Sequence, residues 1–99
     1  MAVELIFVPE AEEDVDGAYA WYESRRSGLG EEFMSCVDAC LQAIRRNPEM
    51  YACAHESYRR ALVRRFPYSV FYECADDIVI VYCIFHNAQN PVKWRQRLP

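Results

Sequence analysis

Eight consecutive apolar residues, Ile78 to Phe85, set the tightest limit on what this chain can fold into. The run is far shorter than the ~20 residues a membrane span needs, and β-branched and aromatic side chains fill most of it, so it reads as a strand. A strand apolar at every position is covered on both faces, which places it centrally in a sheet with packing above and below. Asp76-Asp77 supplies a tight turn ahead of it, and Tyr68 to Cys74 reads as its antiparallel partner. A third run, Tyr58 to Arg65, alternates only loosely and carries four arginines, as a strand at or near the sheet edge would. The three runs predict an antiparallel meander.

The cover for that sheet comes from the first half of the chain. Val3 to Val8 reads as a short strand stopped by Pro9, which suits the first position of a helix. Glu10, Glu12, Glu13 and Asp14 crowd the helix start, where carboxylates meet the positive end of the macrodipole. Ala11, Val15, Ala18 and Tyr22 recur at helical spacing and predict a buried stripe. Gly17, in the middle, costs ~1 kcal/mol relative to alanine and implies close approach of a neighbouring element. Ser24 to Gly30 breaks this helix and opens a second, with Phe33, Val37, Cys40, Leu41 and Ile44 on one face. Arg45 and Arg46 complement the negative end of the second helix, and Asn47-Pro48 stops it. A loop from Glu49 to Ser57 leads into the strands, and the tail Pro91 to Pro99 has room for one helical turn. The expectation is an α+β fold in one domain, residues 1–99. It has an N-terminal strand, a helical hairpin, then a three-stranded antiparallel meander (β-α-α-β-β-β), with a short C-terminal turn or helix.

A chain of 99 residues supports one modest core, burying roughly two-thirds of the unfolded surface, without room for separate catalytic and regulatory domains. The five cysteines, Cys36, Cys40, Cys53, Cys74 and Cys83, are odd in number and sit mostly at apolar positions, where a free thiol behaves as a small hydrophobe. Together with an N-terminus lacking a basic and cleavable apolar leader, this points to a reducing, cytoplasmic setting. Cys36 and Cys40 lie one helical turn apart, but no Cys/His pair elsewhere has matching spacing, so they are assigned to the core and no metal is expected. No cofactor is expected either, since no phosphate-binding glycine loop, nucleophile elbow or zinc-ribbon spacing occurs. The net charge of −4 hides an asymmetry: residues 1–44 hold ten acids against two bases (net −8), and residues 45–99 hold nine bases against five acids (net +4). The halves are expected to face different partners, and the acidic total disfavours direct, non-specific binding to DNA.

The strongest local feature is Tyr58-Arg59-Arg60-Ala61-Leu62-Val63-Arg64-Arg65-Phe66-Pro67-Tyr68. Arginines at alternate strand positions project from one face, so Arg60 and Arg64 are expected to share one face and Arg59 and Arg65 the other, offering forks to an anionic surface. The competing expectation is that they only keep an exposed strand soluble and discourage edge pairing. His86 ends the apolar run and could emerge beside the arginine strand, where a group titrating near neutrality could donate a proton. His55 lies in a polar loop and is given no role, while Trp21 and Trp94 are expected to pack.

Pro9-Glu10-Ala11 before the first helix, Arg46-Asn47-Pro48 after the second, then Arg60, Phe66-Pro67-Tyr68, Tyr72 and His86 with Pro91 beyond, resemble in order and spacing the RelE/ParE superfamily of toxins. The resemblance spans nearly the whole chain and implies a bacterial type II toxin-antitoxin system, with a cognate antitoxin that wraps the toxin and suppresses it. Members act in two ways. RelE-like toxins cleave messenger RNA in the ribosome, and ParE-like toxins of the plasmid-stabilisation branch poison DNA gyrase without being nucleases. For RNA cleavage Arg60, Arg64 and His86 could supply the acid and the cations, but no lysine or glutamate in the strands is an evident base. Ribonuclease members are usually basic and many end in catalytic basic or aromatic residues, whereas this chain is acidic and its tail lacks tyrosine. The expectation is therefore ParE-like gyrase poisoning, with the ribosome-dependent endoribonuclease as the alternative and a non-toxic, antitoxin-binding member as a third. The residues expected to meet target or antitoxin are Arg59, Arg60, Arg64, Arg65, Tyr68, His86, Gln89, Trp94, Arg95 and Arg97. Many relatives carry Arg-Asp where this chain has Gln89-Asn90, which removes a charge from the site's rim.

Overall fold

The computed structural model describes residues 3–99. The chain runs through β1 (Glu4–Phe7), α1 (Pro9–Arg25), α2 (Leu29–Arg46), β2 (Cys53–His55), β3 (Tyr58–Leu62), β4 (Tyr68–Ala75), β5 (Ile78–His86) and α3 (Pro91–Arg97). The strands form one sheet in the order β1-β5-β4-β3-β2. The apolar run is interior, as expected: β5 pairs in parallel with β1, from Glu4↔Ile78 to Phe7↔Val81, and antiparallel with β4 along its whole length. Asp76 and Asp77 make the turn between β4 and β5, both in the left-handed region (φ 52° and 63°) that aspartate tolerates.

The α+β class and the order strand, hairpin, meander stand, with two corrections. The stretch Glu49 to Ser57, read as a loop, contains the short strand β2, so the meander gains a leading strand. Its three residues are exposed or half-buried, so no hydrophobic alternation announces them. The strand read as Tyr58 to Arg65 stops at Leu62, because the chain bends toward Phe66-Pro67 and Arg65 takes φ 72°, outside any strand. Within the central pair the register shifts between Phe71 and Tyr72, leaving Tyr82 as an extra residue on β5. Val79, Val81 and Ile84 accordingly join the main core, while Cys83 packs with Phe71 and Trp94 on the opposite face.

α1 and α2 cover one face of the sheet. Ala11, Val15, Ala18 and Tyr22 from α1, with Phe33, Val37, Cys40 and Ile44 from α2, are buried as their periodicity predicts. Tyr22 meets Phe66 edge-on at 4.9 Å and Phe33 meets Tyr68 at 5.2 Å, closing the core under the hairpin's turn. Burial pushes the Cys40 thiol up from 9.0 to about 11 and the Cys83 thiol to about 12, as befits core cysteines, whereas Cys53 is exposed. No helix among the described residues is long and apolar enough to cross a membrane.

The hairpin turn is built by a side chain. Glu23, near the end of α1, accepts the amides of Gly28 (3.0 Å) and Gly30 (2.9 Å), so a carboxylate of the first helix caps the start of the second. Gly30 is required there, because a Cβ would meet the Tyr19 carbonyl oxygen and Glu23 Oε1, each at 2.9 Å. Gly17 corrects its expectation: a Cβ would meet nothing within 4 Å, so no element approaches closely. Trp21 does so too, since it is 51% exposed instead of packed, with the Arg25 guanidinium 4.4 Å from its ring.

Gly17→Ala should therefore raise stability by about 0.5–1 kcal/mol in urea unfolding, while Gly30→Ala lowers it. The thiols supply a pH test. A folded thiol that keeps its proton to about 11 or 12, against 9.0 when unfolded, contributes stability that is complete below pH 9 and is lost as pH rises through the folded value. Stability should fall on the order of 1–2 kcal/mol per thiol by about pH 10.5. Cys83→Ala should flatten that slope, and an unchanged slope would show that the thiol is not protected.

Candidate functional site

The face of the sheet away from the hairpin is only partly covered, by α3 and the residues after it. Asn90 caps α3, its Oδ1 accepting the Val92 amide at 3.0 Å, and Pro91 occupies the first turn. Trp94 stacks on Phe71, with centroids 4.4 Å and planes 20° apart, so packing supplies the stability that seven residues lack alone. Arg97 then reaches Asp14 in α1 through a two-pronged bond, 3.2 Å and 2.9 Å to the two carboxylate oxygens. Asp14 Oδ2 also accepts the Ile84 amide at 3.0 Å. Pairing between β1 and β5 ends at Val81, so Asp14 serves an edge of β5 where no strand lies. Burial works against the Arg97 charge, yet its bonds and attraction to Asp14 outweigh this and raise the guanidinium above its ordinary value.

Next to α3 lies a closed polar triangle. Ser69 is fully buried, donates to Asn87 Oδ1 at 2.6 Å and accepts from Arg60 Nε at 2.9 Å, while the Arg60 fork also donates to Asn87 Oδ1 at 3.2 Å. The Arg60 guanidinium is thereby held 5.6 Å from the Phe71 ring centroid. His86 comes to the same place from the end of β5. Its Nδ1 accepts the Ala88 amide at 3.0 Å, so the neutral ring presents its N–H at Nε2, and its ring meets Tyr68 edge-on at 5.1 Å. Burial pushes the Tyr68 hydroxyl up. Arg60, His86, Gln89 and Trp94 border a small cavity of about 40 Å³.

The structure therefore unites Arg60 with His86, Gln89 and Trp94, and separates the other arginines. Arg64 does not share a face with Arg60, because it lies past the end of β3 and lines a groove against α2. Arg59 turns to the core side and braces the loop before β2, donating to the carbonyls of Glu49 (3.2 Å) and Tyr51 (2.6 Å). Arg65 pairs with Glu32 of α2 at 2.9 Å, and its bond leads the causes that lower the Glu32 carboxyl. Trp94 is buried, Arg97 is half-buried and engaged by Asp14, and Arg95 stays exposed with its guanidinium 5.6 Å from the Trp94 ring. Sequence reasoning missed Asp14, Ser69 and Asn87. Asp14 had a signal: positions 11, 14, 15, 18 and 22 lie on one helical face, so this acid of the helix start sits beside the buried stripe. Among the described residues no group of three or more His, Cys, Asp or Glu is placed to hold a metal ion.

This strand, hairpin and meander with a helix folded over its free face is the fold of the RelE/ParE toxins. The chain is similar to one from the chromosomal ParDE TA system of P. aeruginosa, with a TM-score of 0.76 at 13% identity over 86% of this chain and 96% of that one. It is also similar to a chain of the toxin-antitoxin complex RelBE2 from Mycobacterium tuberculosis, with a TM-score of 0.62 at 16% identity over 90% and 95% of the two chains. A double-arginine mutant of the E. coli toxin RelE in the free state gives a TM-score of 0.64 at 16% identity, with both chains covered in full. No curated protein sequence matches. Residues 5–91 match the ParE toxin of the type II toxin-antitoxin system, parDE, and the chain belongs to that family.

Asp14→Ala should leave the Arg97 fork and the Ile84 amide without their shared acceptor and cost about 2–3 kcal/mol. Hydrogen exchange at Ile84 should quicken and, in a Trp21→Phe background, Trp94 emission should move toward that of exposed indole. An unaltered Trp94 spectrum would show that α3 is held without this clasp.

Proposed function

We propose that this type II toxin acts in the ParE-like manner, as one toxin domain that binds and poisons DNA gyrase in the cytoplasm, and that it does not cut RNA. The state of the Arg60–His86 corner carries the reading. Cleavage through a 2'-hydroxyl needs a base, an acid and cations aimed at the phosphate, in a space that admits a nucleotide. Here the Arg60 fork is engaged by Ser69 and Asn87, His86 Nδ1 is engaged by a backbone amide, and the cavity between them measures about 40 Å³. No lysine or carboxylate borders it, and Gln89 leaves its rim neutral. Arg97, the last basic side chain, is turned away to Asp14. A protein surface that recognises another protein fits this arrangement better than a phosphate-cleaving one, and the acidic net charge of −4 agrees with it.

Ribosome-dependent cleavage remains the second reading because Arg60 and His86 do meet at one cavity. The two are separated by adding the purified chain, free of antitoxin, to a gyrase supercoiling assay and to a translating extract. Gyrase poisoning predicts loss of supercoiling, accumulation of cleaved DNA–gyrase complex and intact message. Absence of both gyrase effects would sink the proposal. Codon-positioned cuts that vanish in Arg60→Ala or His86→Ala would establish the ribonuclease, and harmless expression would leave a chain that only pairs with its antitoxin.

A further inference from the structure

The sheet face away from the hairpin is covered along only half its length. α3 lies over Phe71 and Cys83, where Trp94 completes a small second core. Toward the turn between β4 and β5 the same face carries Glu4 and Ile6 of β1, Ile78 and Ile80 of β5, and Glu73 of β4. Ile6 stands opposite Ile80, with Glu73 on the other side of Ile80, and Glu4 stands opposite Ile78. The three isoleucines belong to neither core. Ile6 is 39% exposed, and Ile78 and Ile80 are only half-buried although β5 is an interior strand. An apolar sheet face calls for a second layer, and these side chains are neighbours, not scattered single residues.

The charge around this bare floor is acidic. Glu4, Asp76 and Asp77 are exposed, Glu73 is half-buried, and none makes an ion pair among the described residues. Glu73 accepts only from neutral hydroxyls, those of Ser57 at 2.9 Å and Tyr82 at 3.1 Å. The covered half has the opposite sign. α3 buries Trp94 and leaves Val92, Lys93 and Arg95 exposed, and neither cation makes an ion pair among the described residues. A helix of about 10 Å diameter also stands as a step above the bare half. One face therefore carries a raised basic ridge with an exposed valine and, beside it, a lower acidic floor with an apolar centre.

We propose that two copies of this chain pair through this face, about a two-fold axis that runs across the strands between ridge and floor. Val92 of each copy then seats on Ile6, Ile78 and Ile80 of the other, while Lys93 and Arg95 meet Glu4, Glu73 and the Asp76-Asp77 turn. A two-fold contact must be self-complementary, so a single face has to supply both sides of every pair. This one does, in charge and in relief, whereas an unrelated partner calls for only one of the two halves. The carboxylates around the floor disfavour a nucleic acid there. The pairing does not depend on which target the toxin attacks.

Sedimentation velocity on the full chain, free of antitoxin, over a wide range of concentration tests this. The unaltered chain should pass from one copy to two as concentration rises, and added salt should weaken the dimer. Lys93→Glu with Arg95→Glu should weaken pairing by about 10- to 100-fold. Glu4→Lys with Asp76→Asn and Asp77→Asn, in which asparagine keeps the left-handed turn, should do the same. Mixed in equal amounts, the two variants should associate again as a heterodimer, because each ridge then meets a floor of opposite charge. A merely structural effect of the substitutions would not be rescued in this way. Val92→Ser should weaken pairing by about tenfold with the unfolding midpoint unchanged, since that side chain is 48% exposed in the single copy. A chain that stays single at every concentration overturns the proposal and leaves the face to a partner of another kind. A dimer that neither set of charge changes weakens, or variants that fail to rescue each other, places the contact elsewhere and overturns it too. Assemblies that grow beyond two copies show a head-to-tail contact and exclude the two-fold one.

Discussion

The three-way junction of Asp14, Arg97 and the Ile84 amide is the contact on which the second face of this protein depends. β1 accompanies β5 only as far as Val81, and beyond that point an interior strand would expose a bare edge. One carboxylate from α1 closes the Ile84 position, and because it also grips Arg97 it ties the last helix to the first. With α3 fixed, Trp94 lies flat on Phe71 and walls the cavity shared by Arg60 and His86. An ion pair of this kind adds little as pure Coulomb attraction at a wet surface. Here both side chains are mostly buried, and the acid serves two donors at once, so removing it orphans more than one group.

The charge asymmetry of the chain acquires a different meaning from this. The acidic first half and basic second half suggest different partners, yet two ion pairs join the halves internally. Arg97 bonds Asp14, Arg65 bonds Glu32, and Glu32 is shared with Arg26 inside the hairpin. Arg45, which suits the helix dipole, also donates to the Val3 carbonyl at 3.0 Å and ties the end of α2 to the start of β1. The halves are therefore tied by ion pairs at two points, and only the Arg97–Asp14 pair links the helix on the far face to the hairpin. What is left for partners is the remainder of the basic half: Arg46, Arg64, Lys93 and Arg95 are exposed and make no ion pair among the described residues.

How much of this was legible in the sequence follows from the range of each signal. Periodicity and uniform apolarity are repeated over many residues, so the interior position of β5 and the buried stripes of α1 and α2 could be read directly. Arginine faces could not, because the period-two rule holds only while the strand lasts, and β3 ends at Leu62 before Arg64 and Arg65. The bulge at Tyr82 lies inside a run where every residue is apolar, so nothing in the pattern marks the extra residue. β2 is three residues long and mostly exposed, too short for a pattern of its own. The glycines illustrate the same limit: a glycine in a helix can signal close contact or empty space, and Gly30 and Gly17 are one of each.

The candidate site was partly legible for a related reason. Arg60 and His86 were named from type and position, and the structure does bring them to one cavity. The residues that decide what they can do, Ser69 and Asn87, carry no charge and belong to no motif, so only the fold reveals them. Ser69 follows Tyr68 and precedes Val70, and as a fully buried hydroxyl it must find partners. The partners it finds are the Arg60 Nε and the Asn87 amide oxygen, so the hydroxyl is satisfied and the Arg60 guanidinium is fixed by Nε and one Nη. A guanidinium held in this way has spent Nε and one Nη on native contacts and offers less than its full fork to a developing charge on phosphorus, whereas a docking protein needs only the ordered surface that the triangle and the stacked tryptophan hold in place.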